Sequence, residues 1–200
     1  MPELDALPVV LASGSPRRRE LLAQAGVRFD VHVPDVPEER AAGETPEAFA
    51  IRLALAKAVA VARRLGPAPP RVVLAADTIV VEGDDVLGKP RDASEALAHL
   101  RRLVGRRHRV LTAVAVVESA GLAARHSLVE SGVTLRAAGA DELAAYVATG
   151  EPMDKAGAYA AQGEGRRFIT RIEGSETNVI GLPLDESLAL LRAVGALGRR

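Results

Sequence analysis

Apolar and polar positions follow two rhythms along this chain, and the switches between them predict an alternation of strands and helices. Pro8–Ala12 is a short unbroken apolar run, Ser13-Gly14-Ser15-Pro16 interrupts it, and Arg17–Ala25 continues at helical spacing up to Gly26. A buried strand, a turn and a helix are expected there. Ser15 suits the N-cap, and Pro16 suits the first turn, where its missing N–H is no loss. Phe29–Val33 alternates like a second strand, and Pro34–Gly43 is a polar loop carrying Asp35, Glu38, Glu39 and Arg40. Thr45, Pro46 and Glu47 supply a cap, a first-turn proline and an acid that complements the helix dipole. They open a helix to about Leu65 whose Ile51, Leu55, Ala58 and Ala62 share an apolar face. On that pattern Lys57 lies near the edge of the polar side and reads as a solvated lysine.

The stretch Arg71–Pro90 breaks the plain rhythm. Val72–Ala76 is apolar throughout, as in a strand buried on both faces, yet it runs directly into Asp77. A carboxylate there is costly to desolvate unless a cation or several donors meet it. Thr78–Val81 is strand-like again, Glu82-Gly83-Asp84-Asp85 makes a tight turn, and the chain returns to Gly88-Lys89-Pro90. Such a hairpin brings Lys89 back towards Asp77. From this stretch alone a catalytic pair and a structural ion pair fit equally well.

Further on, Asp92-Ala93-Ser94-Glu95 is close to a capping box and opens a helix to about Leu103, ended by Gly105. Val110–Val117 and Ser127–Leu135 predict an antiparallel hairpin. A short helix begins at Asp141 and Glu142 and ends at Gly150. Gly150–Gly165 reads as a polar loop, Phe168–Ile172 as a strand, Asn178–Pro183 as a turn and Leu184–Val194 as the last helix. Gly198-Arg199-Arg200 is expected to fray.

Composition narrows the function classes. With 200 residues the chain is expected to form a single domain over residues 1–200. Aromatics make up only 2 %, so the core must be built from Val, Leu and Ala. The formal net charge is zero, which removes bulk attraction to nucleic acid or anionic membrane. With no cysteine there is no disulfide, thiolate metal site or thiol nucleophile, and His32, His99, His108 and His126 lack metal-ligand spacing. No long apolar segment or signal-peptide pattern appears, so a cytoplasmic location is expected.

The remaining polar groups sort into cations and carboxylates. Arg17, Arg18 and Arg19 crowd the positive end of a helix dipole, which is unfavourable without an anion, so a phosphate site is favoured over a solvated basic turn. The spacing is not that of a Walker A loop. Arg17, Arg18, Lys57, Lys89 and Lys155 can meet several negative charges. Asp77, Glu38 and Asp154 can hold a divalent metal or take a proton from water. Cations for phosphates and carboxylates for a hard metal are the inventory of an α/β enzyme acting on a polyphosphate.

Five segments carry a resemblance: Leu11–Leu22, Ala75–Asp92, Gly105–Val116, Glu151–Gly163 and Gly174–Leu184. In sequence and in order they resemble the Maf-like nucleoside triphosphate pyrophosphatases over nearly the whole chain. The resemblance implies a long mixed sheet flanked by helices, with two lobes around a central cleft, as in inosine-triphosphatase-like proteins. It implies hydrolysis of a small-molecule nucleoside triphosphate to the monophosphate and pyrophosphate, with Mg²⁺ or Mn²⁺. It assigns Asp77 as the catalytic carboxylate, and Ser13, Arg17, Arg18, Lys57, Lys89 and Lys155 to substrate phosphates. Glu38, Asp77 and Asp154 are assigned to the metal. Arg17, Thr78 and Gln162 resemble the subgroup acting on dTTP and UTP, and a glutamine amide can both donate to and accept from a pyrimidine edge. Glu176 departs from the pattern, where an aromatic residue is usual. The competing class is a nucleotide-binding regulator that restrains septum formation with little turnover. No nucleic-acid or membrane partner is expected, and the oligomeric state, a homodimer included, stays open.

Overall fold

The computed structural model describes residues 7–198; Arg199 and Arg200, expected to fray, lie outside them. The chain divides into two compact units. One comprises the residues up to Asp77, Ala113–Leu128 and those from Gly181 on, and the other Thr78–Thr112 and Val129–Ile180.

In the first unit β1 (Val9–Ala12) leads into helix α1 (Pro16–Gln24), then β2 (Phe29–Val31), helix α2 (Pro46–Leu65) and β3 (Val72–Glu82) as far as Asp77. Strand β1 lies between β2 and β3, parallel to both, with Ala12 opposite Ala75. A central strand flanked in this way is buried on both faces, which is why Val9–Ala12 and Val72–Ala76 carry no polar residue. Ser15 occupies the N-cap of α1 as predicted, but its hydroxyl makes no cap bond. Thr45 does cap α2, accepting from the Ala48 N–H at 3.2 Å.

The inward face of α2 differs from the predicted one. Phe49, Ala50, Leu53, Ala54, Ala58, Val61 and Ala62 are buried, whereas Ile51 and Leu55 are only half-buried. The stripe is rotated relative to the expected one, and Lys57 lies on its buried side at 7 % exposure.

In the second unit β3 continues from Thr78, and β4 (Asp85–Leu87) folds back on it antiparallel, with Leu87 opposite Val80. Helix α3 (Ala93–Leu103) follows. Asp92 caps it from Oδ1 to the Glu95 N–H at 2.8 Å, while Glu95 reaches back to the Arg91 N–H at 2.7 Å instead of closing the box on Asp92. Strands β5 (Arg107–Glu118) and β6 (Ala124–Leu135), whose Ala113–Leu128 portion belongs to the first unit, are sheet neighbours joined by residues 119–123, too short a connection for a parallel crossover. Helix α4 (Ala140–Ala148), strand β7 (Ile169–Glu173), helix α5 (Glu176–Ile180) and helix α6 (Leu184–Ala193) complete the chain, α6 belonging to the first unit. The segment read as a polar loop holds three short 3-10 turns, Glu151–Asp154, Ala156–Ala158 and Glu164–Phe168. The segment 176–180 is a five-residue helix, where only the turn at Asn178–Pro183 was expected.

Among the described residues the sheet has seven strands in the order β2-β1-β3-β5-β6-β7, with β4 beside β3, so the expected mixed sheet with flanking helices is present. The aromatic-poor core is made of Val, Leu and Ala, as composition requires. The second unit adds Tyr146 and Phe168, packed tilted at 5.2 Å, with the Arg136 and Arg167 guanidinium groups over the Phe168 ring.

Candidate active site

Register brings the first unit's chemistry together. Because Ala12 pairs with Ala75 in parallel, Ser13 follows the end of β1 beside the stretch of β3 that ends in Asp77. Ligand sites in parallel sheets form at such carboxyl ends. Ser13 is buried, and its Oγ accepts from the Ser15 N–H at 3.1 Å and from Arg18 Nη1 at 3.4 Å. Arg18 also donates through Nε to the Gly181 carbonyl at 2.7 Å, a contact spanning 163 positions of sequence. Burial lowers the Arg18 pKa; the charges of Asp77 and Glu38 oppose that shift and neighbouring Arg17 adds to it. These four charged groups therefore share one electrostatic neighbourhood. The surplus of positive charge at the start of α1 is met in part by the chain's own carboxylates.

The cation on Asp77 is Lys57. Its Nζ lies 2.6 Å from Asp77 Oδ1 and 2.6 Å from Glu38 Oε1, so one ammonium bridges two carboxylates. Lys57 and Asp77 are both buried, while the Glu38 side chain is half exposed. A lysine on the inner face of a helix is tolerated when its charge is matched in this way. Lys57 is therefore not the solvated lysine that the apolar pattern of the helix predicts, because its two carboxylate partners set its facing. Glu38 sits on a loop without regular structure, and α2 anchors that loop. Arg52 donates to the Glu39 carbonyl at 2.9 Å and pairs with Glu44 at 2.7 Å, holding the Glu44 carboxyl at about 2. Arg52 was missed because it looks like any exposed helix arginine.

The remaining predicted residues lie in the second unit. The Thr78 hydroxyl is 2.9 Å from that of Thr112, which donates to the Asn178 carbonyl at 2.9 Å. Lys155 pairs with Asp154 and donates to the Glu151 carbonyl at 2.7 Å. Lys89 and Gln162 are exposed, and so is Glu176, the residue that departs from the family pattern. Glu151, which sequence reasoning passed over, closes the base of the segment bearing Asp154, Lys155 and Gln162. Its carboxylate accepts the Glu164 N–H at 3.2 Å and the Gly165 N–H at 3.0 Å.

The fit to a divalent cation can be tested on the donor set. Among the described residues no three His, Cys, Asp or Glu side chains assemble into a cage. Glu38 and Asp77 do converge on one positive charge, with hard oxygen ligands. Mg²⁺ is commonly held by one or two carboxylates, with water and substrate phosphate completing its shell, so this pair fits.

A parallel-sheet site with an arginine-bearing helix start and a cation-matched carboxylate pair is that of a phosphate-handling α/β protein. The family model described as Maf-like protein matches residues 8–194, and the chain belongs to that family. Relatives match over nearly their whole length. A protein of Myxococcus xanthus is 52 % identical over 194 residues, covering 96 % of this chain and 94 % of its own. One of Burkholderia thailandensis is 48 % identical, covering 96 % and 98 %, and one of Geobacter sulfurreducens is 50 % identical, covering 94 % and 97 %. All three are named dTTP/UTP pyrophosphatase.

Proposed function

We propose that this chain is a nucleoside triphosphate pyrophosphatase that hydrolyses dTTP and UTP to the nucleoside monophosphate and pyrophosphate. The observation that carries the reading is similarity over nearly the whole chain to proteins named for that activity, in a chain whose Asp77, Glu38, Lys57 and Arg18 share one site.

Each residue has a role in an attack of water on the α-phosphorus. Asp77, whose Oδ1 is paired with Lys57 before a cation arrives, is the carboxylate that accepts the proton of the attacking water. Ser13 spends its lone pairs on Ser15 and Arg18, so its O–H is the part offered to a phosphate oxygen. Arg18 is held in a fixed fork by Ser13 and Gly181, ready to meet charge that moves onto the leaving pyrophosphate. Arg17, Lys57, Lys89 and Lys155 supply further positive charge. Glu38 and Asp77 would hold Mg²⁺ or Mn²⁺; such a cation neutralises phosphate charge and acidifies bound water. Arg17, Thr78 and Gln162 read the base.

No helix among the described residues is long and apolar enough to cross a membrane. The test is a pyrophosphate-release screen of the purified chain with Mg²⁺ across all eight ribo- and deoxyribonucleoside triphosphates. Turnover highest with dTTP and UTP is expected. Tight nucleotide binding without turnover would favour the regulatory reading.

A further inference from the structure

We infer that Lys57 is the resident counter-ion of the Glu38–Asp77 pair, and that its ammonium and a divalent cation occupy that pair in turn. This rests on the pyrophosphatase reading only in supplying a reason for the cation to be there. Two carboxylates aimed at one point repel each other unless a positive charge lies between them. Lys57 Nζ supplies it, 2.6 Å from an oxygen of each, and leaves the trio with one net negative charge. An ammonium and a hard cation cannot both sit against the same lone pairs, because like charges a few ångströms apart in a partly buried site repel strongly.

The components are suited to exchange. Lysine carries a point charge with three rotatable donors on a four-carbon stem, so its head can turn away while its helix stays in place. The Lys57 side chain is only 9 % exposed and that of Asp77 7 %, whereas that of Glu38 is 48 % exposed, so solvent reaches the pair from the Glu38 side. Before a cation arrives, Lys57 holds the two carboxylates at a shared point. Once it is displaced, its charge is released beside Asp77, whose field also acts on Arg18, and becomes available to a substrate phosphate.

The test uses the full chain without nucleotide and Mn²⁺ alone as the probe. Calorimetry is expected to show Lys57→Met binding Mn²⁺ about tenfold tighter or more than wild type, since a competing charge has gone. Equal or weaker binding by the folded variant, or no Mn²⁺ binding by either protein, overturns the inference. Because Lys57→Met strands a buried carboxylate, a second measurement uses wild type only. The ¹⁵N resonance of Lys57 Nζ is followed during a Mg²⁺ titration. It is expected to shift and lose its exchange protection; an unmoved resonance at saturating Mg²⁺ overturns the proposal. Both readouts are independent of turnover, so failure of the pyrophosphatase reading would appear separately as absent pyrophosphate release.

Discussion

Replacing Asp77 by Asn removes one charge and changes almost no volume, at the residue where the hydrophobic strand meets the site. Breaking a buried ion pair ordinarily costs about 3–5 kcal/mol because a charge is left uncompensated. Here Lys57 keeps Glu38 at 2.6 Å, and the new amide oxygen can still accept from the ammonium. The loss of stability should therefore stay under about 2 kcal/mol, measured by urea unfolding. Catalysis has no such reserve. A positioned general base contributes about 10²–10⁴ in rate, and in the proposed mechanism Asp77 would also help hold the cation, so kcat for dTTP should fall at least about 10³-fold. That corresponds to roughly 4 kcal/mol of transition-state stabilisation. Pyrophosphate release measured beside circular dichroism separates the two effects. A folded Asp77→Asn protein turning over within about tenfold of wild type would refute the assignment.

Two further outcomes concern the second unit. Buried His108, beside Arg107 and 2.7 Å from the Tyr159 hydroxyl, is depressed to about 4 mainly by desolvation, with Arg107 adding and Glu82 opposing. The unfolded chain takes up this proton near 6.5 and the folded one only near 4. Stability should therefore fall by up to about 3 kcal/mol as pH drops through that window. Urea titrations should show His108→Gln lacking this component; an unchanged pH slope would contradict it. Gly163 has φ +79°, ψ −150°, a backbone region close to glycine-only, and a Cβ there would lie 2.1 Å from Glu151 Oε1. Gly163→Ala should cost about 2–3 kcal/mol by thermal unfolding, and less in a Glu151→Ala background, where the clash is gone.

Much of the scaffold was legible because burial on both faces leaves a plain mark: Val9–Ala12 and Val72–Ala76 read as strands from their letters alone. Caps at Thr45 and Asp92 were equally visible, being local chemistry of side chain and backbone. The misses were cases where a distant partner decided the outcome. Lys57 is polar by letter, yet its facing is set by two carboxylates 19 and 20 positions away, which no helical period encodes. Arg18 is anchored by a backbone carbonyl, Gly181, that has no side chain to announce it. The helix at 176–180 is too short for periodicity to register. The site residues were named largely through resemblance, and geometry then united Ser13, Arg18, Glu38, Lys57 and Asp77. Thr112, Arg52 and Glu151 act by supporting others, and their spacing gives no signal.

In the proposed reaction water attacks the α-phosphorus of the triphosphate. Hydrolysis of dTTP in ¹⁸O-labelled water, followed by ³¹P NMR, tests it directly. The label is predicted in the monophosphate, with unlabelled pyrophosphate beside it. Label in the pyrophosphate, or release of orthophosphate as the first product, would contradict it.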